Sequence, residues 1–380
     1  LGGSAALDDA NARLILLVKP DAPRHPPLNL ASNDPAEAAA VRLLKVLADV
    51  DAELGNASGW VMDDLTIFGT DPVFDDAPPP EEVARGLQAA QEWIGRLLAA
   101  LSAERIELRM LDQAVVLPLA EDDPRRGLLT RARAAARILK ADAIRLWAAG
   151  DRAAAAERAA GIVHLADLLG DEPPLLLHAL VAESVLGLGA SLIEAMNAAG
   201  LNEASRPILA AAGNRLEPED PVGLRFAALR CVGRTRETIG RDLASDGLSP
   251  ESWYLLSTVQ AGEAVAGRMF EGLTGGKPLD EAYRDAVRNA PVQAALGMAS
   301  VSEADVRVAY ERGLEFAERL KDAWGTPEAA RIAAEIRAWD KSDATGVAGL
   351  MFTGIENVER SWREARERAA ALRSLQTRGR

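Results

Sequence analysis

His25, His164 and His178 are the only imidazoles in the chain, and two of them stand near enough in sequence to act together. His164 lies one helical turn before Asp167 and two before Asp171, and His178 follows a Gly-Asp-Glu-Pro turn. If the helices on either side of that turn pack together, His164, Asp167, Asp171 and His178 converge as imidazole and carboxylate ligands for a divalent metal. Neither His-Glu-x-x-His nor Glu-x-x-His spacing is present, so the plainer account is one surface histidine and one hydrogen-bonded in the core. Glu183 and Glu194 fall 11 residues apart on nearly one face of an apolar segment. Carboxyls in such a setting are pushed toward neutrality by desolvation and suit acid–base work, although a polar stripe between helices uses the same residues.

A second group lies in a stretch broken by Gly and Pro, where Trp60, Phe68 and Phe74 alternate with Asp63, Asp64, Asp71, Asp75 and Asp76. Aromatic rings beside clustered acids suit contact with a protein, a glycan or calcium. The acids lack the Asp-x-Asp-x-Asp-Gly order of a dedicated calcium loop, and rings in such loops also serve as inward anchors. Other strings fail on inspection. Gly272-Leu-Thr-Gly-Gly-Lys-Pro278 lacks the first phosphate-loop Gly and carries Pro where magnesium needs a hydroxyl, and Gly187-Leu-Gly189 reads as close helix packing. There is no Gly-x-Ser-x-Gly elbow and no Ser-x-x-Lys pair, and no motif calls for a cofactor.

Composition limits what these residues can serve. With 57 acidic against 43 basic residues, the net charge of −14 disfavours a nucleic-acid partner. One cysteine, Cys231, excludes an internal disulfide and a cysteine-based zinc site. No uninterrupted apolar run approaches the roughly 18 residues of a membrane span, Leu14-Ile-Leu-Leu-Val18 being short, so no transmembrane segment is expected. Apolar residues make up 48% of the chain and aromatics 4%, which implies an interior of Ala, Leu, Val and Ile. Such interiors let helices approach closely.

The positioning elements read as helices throughout. Asp34-Pro35-Ala-Glu37 marks a helix start by a capping carboxylate and an N-terminal Pro, and Gly55 marks its end. Asp123-Pro124, Asp220-Pro221 and Ser249-Pro250 repeat that start signal, and further helices are predicted over 81–101, 173–199, 202–215, 280–288, 302–324, 327–339 and 357–375. The Arg- and Glu-rich last helix has charges at pairing intervals, as a solvated closing helix does. Gly150-Asp151 stops one helix and starts an alanine-rich one, so the pair must lie antiparallel. Gly170 is expected to supply a left-handed residue at the next stop. The expected architecture is all-α, about eleven helices in antiparallel hairpins forming a solenoid-like or tetratricopeptide-like array, with segments 1–122, 123–275 and 276–380.

Ala143, Ala155, Leu146 and Gly150-Asp151 fall where a tetratricopeptide repeat of about 34 residues wants small, large and turn positions, while Leu139 and Asp167 depart from its Trp and Pro. Over residues 128–198, the Ala148-Ala-Gly-Asp151 hairpin followed by Leu165-Ala-Asp-Leu-Leu-Gly-Asp-Glu-Pro-Pro-Leu-Leu-Leu177 resembles a group of uncharacterised alanine-rich helical proteins of planctomycete-type bacteria. The resemblance implies an extracytoplasmic or membrane-tethered setting and carries no catalytic residues. The function expected is a helical scaffold that binds a protein partner or its own copies. The alternative is a hydrolase or metal-dependent enzyme with a site between the central helices.

Overall fold

A computed structural model describes residues 34–55, 81–106, 108, 127–171, 176–245, 247–249, 252, 253, 256, 300–352 and 354–375. In chain order the helices are α1 (Pro35–Gly55), α2 (Glu81–Ala89), α3 (Gln91–Leu101), α4 (Leu128–Ala148), α5 (Arg152–Gly170), α6 (Leu176–Ala198), α7 (Ser205–Arg215) and α8 (Leu224–Thr235). A π turn, Arg236–Gly240, leads into α9 (Arg241–Ala244), followed by α10 (Glu303–Ala323), α11 (Pro327–Asp340), α12 (Val347–Phe352) and α13 (Ile355–Ser374). The fold is all-α, with no strand among the described residues. The helices expected over 249–273 and 280–288 lie outside the described residues apart from Ser252, Trp253 and Leu256.

Packing divides the chain into two compact units, one within Pro23–Ala227 and Ser361–Arg380, the other within Ala228–Arg360. In the first, α5 is the central element, packed against α3, α4, α6 and α7. The turn that makes this possible is short. Gly150 takes φ +83°, a left-handed value that suits a residue without Cβ, and the Asp151 carboxylate accepts a hydrogen bond from the Ala154 amide at 3.1 Å. Ala143, Ala155 and Ala159 at the helix contacts are fully buried, as close approach of α4 and α5 demands. At α1, Asp34 accepts from the amides of Ala36 and Glu37 at 2.9 and 3.2 Å, the cap its sequence announces.

Three local expectations change in the structure. Gly170 is the last residue of α5 and is not left-handed; its requirement is space, since a Cβ there would stand 2.5 Å from the Val222 Cα. The helix expected from Asp220-Pro221 begins instead at Leu224, because Gly223 takes φ +66° and turns the chain first. Asp220 still caps it, accepting from the Arg225 and Phe226 amides at 3.2 and 2.9 Å. The closing helix α13 is solvated on one side only. Trp362, Ala365, Ala369 and Leu372 are buried, Trp362 Nε1 donates to the Glu219 carbonyl, and Arg368 pairs with Glu183 at 2.5 Å.

Helix α6 is the apolar element behind α5. Its segment His178–Ala198 is long and apolar enough to cross a membrane, and more than half of that segment is buried within the unit. In the second unit, α10 opens with a reciprocal capping box between Ser302 and Asp305. It packs with α11 and α12 around an aromatic cluster, Phe316 stacked on Trp339 at 5.5 Å and Trp339 edge-on to Phe352 at 6.4 Å.

Candidate functional site

The carboxylate flank of α5 opens onto a partly enclosed cleft of about 310 Å³. Its lining comes from four places in the first unit. Asp167, Leu168, Gly170 and Asp171 come from the end of α5, Arg215 and Glu217 from the end of α7 and the turn after it, and Asp220, Pro221, Gly223 and Phe226 from the start of α8. Ile106 completes the wall. The close passage of Gly170 against Val222 brings the first and third of these groups together, an approach possible because this position in α5 has no side chain. Four carboxylates thus surround one guanidinium.

Those carboxylates are not equivalent. Asp171 and Glu217 are exposed at the mouth. Asp220 is half-buried, and burial raises its pKa to about 6 although its oxygens accept two amide hydrogen bonds. Asp167, also half-buried, has no hydrogen-bond partner among the described residues. Burial, and then the nearby Asp171 charge, push its pKa up to about 7 against the opposing pull of Arg215. At neutral pH this carboxyl is poised between its charged and neutral forms.

His164, one turn before Asp167, is 8% exposed and faces Arg215. Arg215 Nη1 lies 3.4 Å from His164 Nε2, and a guanidinium can only donate, so Nε2 accepts and the proton sits on Nδ1. Burial, reinforced by the Arg215 charge, lowers the His164 pKa to about 4 and keeps the imidazole neutral. The Leu101 backbone at the end of α3 acts on the same imidazole and partly offsets the fall in its pKa. Arg215 itself makes no ion pair among the described residues.

Of the four residues proposed from sequence as metal ligands, Asp167 and Asp171 line the cleft, His164 sits behind Arg215, and His178 is buried in α6 and is not part of the lining. No three His, Cys, Asp or Glu side chains among the described residues form a group able to hold a metal. Both histidines are buried, so the expected surface histidine is not found, because α5 is covered by α3 and α7 along its polar flank as well. Glu183 is taken up by Arg368, and Glu194 is exposed. Trp60, Asp63, Asp64, Phe68, Asp71, Phe74, Asp75 and Asp76 lie outside the described residues.

Sequence reasoning missed that Arg215 and Asp220 share a cleft with Asp167, and it missed the buried hub Asp142. Asp142 is inaccessible to solvent and accepts from Gln91 Nε2 at 3.0 Å, Arg145 Nη2 at 2.7 Å and Arg158 Nε at 3.1 Å, tying α3, α4 and α5 together. An Asp inside the apolar run Ala141-Asp-Ala-Ile144 was the available signal. Neither a family model, nor a curated protein, nor a solved structure matches this chain.

Proposed function

We propose that the protein is a helical interaction scaffold whose α4–α5 hairpin is one tetratricopeptide-like unit, and that the cleft beside α5 receives a Lys or Arg side chain of a partner protein. One observation carries this reading: Asp167 stands in a partly enclosed cleft without a hydrogen bond among the described residues and is held near half-ionisation by burial. An ammonium or guanidinium entering the cleft supplies the charge that a buried carboxylate lacks, while Ile106, Leu168, Pro221 and Phe226 offer apolar surface to the alkyl stem. The excess of acid over base in the chain favours a basic partner by long-range attraction. The alternative, a hydrolase at the central helices, has less to draw on. Asp220 is engaged in capping and Glu183 in an ion pair, and the other carboxylates of the cleft, Asp171 and Glu217, are exposed.

The test is fluorescence anisotropy with a labelled Lys/Gly/Ser peptide and its Glu counterpart at low and physiological salt. The expected result is saturable binding of the basic peptide, weakened about tenfold by Asp167→Asn, the size of one charge-assisted contact. Equal binding of the two peptides, or an Asp167→Asn protein that binds as wild type does, overturns the assignment.

A further inference from the structure

Arg215 is the one base lining the cleft among the described residues, and it stands within electrostatic reach of Asp167. An arginine beside a half-buried carboxylate ordinarily closes on it, because a bidentate pair is the strongest contact either group can make. Here no such pair forms. The Arg215 guanidinium instead donates to His164 Nε2 at 3.4 Å. The imidazole is buried, so its position is set by α3 and α5 and not by solvent.

We infer that His164 is a positioning residue for the cleft: by holding Arg215 at the mouth, it keeps the Asp167 carboxylate open to an incoming cation. The inference rests on the proposed reading of the cleft as a cation site and adds the device that keeps the site from closing on itself. The arrangement works because a neutral imidazole offers Arg215 an acceptor without offering it a charge. A carboxylate at position 164 would hold the guanidinium too, but would add a further acid to a cleft already facing Asp167, Asp171, Glu217 and Asp220. A protonated histidine would repel Arg215 and release it.

Three variants test this in the full chain, with the Asp167 carboxyl followed by carbon-13 NMR of Asp-labelled protein and assigned by loss of its signal in Asp167→Asn. In His164→Ala, Arg215 is free to pair with Asp167. The expected outcome is an Asp167 titration midpoint lower by about a unit or more and basic-peptide binding weaker by about tenfold, as for one new competing ion pair. His164→Gln, whose amide oxygen can accept from Arg215, should restore both readouts toward wild type. His164→Ala combined with Arg215→Ala should recover peptide binding, since the competitor is gone. Should His164→Ala not fold, Arg215→Ala alone serves, because that side chain is exposed. It should raise the Asp167 midpoint and leave peptide binding equal or tighter.

An unmoved Asp167 midpoint in folded His164→Ala, failure of both rescues, or weaker peptide binding in Arg215→Ala overturns the inference. If the midpoints move as expected while no basic peptide binds at any pH, the positioning role of His164 stands and the proposed cation reading falls.

Discussion

Asp167→Asn is the perturbation whose size follows most directly from the structure. In the folded chain this carboxyl titrates at about 7, against 3.8 for the free side chain. The gap is about three units, and each unit is worth about 1.4 kcal/mol. The sign follows from where the proton is held. The folded state binds it more tightly than the unfolded state, so native stability is greatest below about pH 4, declines as pH rises, and levels off above about pH 7. Ionised Asp167 then costs the fold up to about 4 kcal/mol, or about 2–4 once partial contact with water is allowed for. Asn keeps the shape and cannot ionise. The variant should therefore match wild type near pH 4 and be more stable by about 2–4 kcal/mol at pH 8. Asp220 and His164 titrate in both proteins and cancel from the difference, although each bends the separate profiles: Asp220 removes stability as pH rises toward 6, and His164 removes it as pH falls from 6.5 toward 4. Urea unfolding followed by far-ultraviolet circular dichroism at pH 4, 5, 6, 7 and 8 measures the difference directly. A difference that does not change with pH, or a wild-type protein that is the more stable at pH 8, refutes the reasoning. A residue that weakens the fold when ionised is what a binding cleft would retain and a purely structural position would not.

Two further substitutions probe the framework around the cleft. Asp142→Ala strands Arg145 and Arg158, which are 27% and 15% exposed, and should cost about 3–5 kcal/mol in urea unfolding, as breaking a buried ion cluster does; a loss below about 1 kcal/mol would show that water repays the lost contacts. Gly170→Ala drives a methyl into the Val222 backbone and should cost about 1–3 kcal/mol while displacing the loop that carries Asp220, so that basic-peptide binding weakens at temperatures where the variant is still folded; wild-type stability and binding together would mean that the α5–α8 approach is not tight.

Much of the helical framework could be read in advance, because caps and turns are local. Asp34 caps the helix it was read to start, and Gly150-Asp151 separates two helices as expected, because such signals act over three or four residues of chain. The reading failed where a residue serves a distant neighbour. Gly170 ends its helix as expected but is not left-handed, serving as a contact site for Val222; the closing helix looked solvated and buries Trp362 against the Glu219 turn.

The candidate site shows the same division. From sequence, Asp167 and Asp171 were legible as two carboxylates one turn apart, and His164 as an imidazole beside them, because helical spacing fixes which side chains share a face. Their chemistry was not legible. Whether His164 ligates a metal or tethers an arginine depends on Arg215, 51 residues away in sequence at the end of another helix. By itself the sequence determined an all-helical chain with an alanine-lined hairpin, since propensity, capping and periodicity are short-range. Only the packing of α3, α5, α7 and the turn before α8 decided that one carboxyl would be half-buried, unpaired by the arginine beside it and open to solvent, because desolvation and Coulomb attraction act through space between residues the sequence keeps apart.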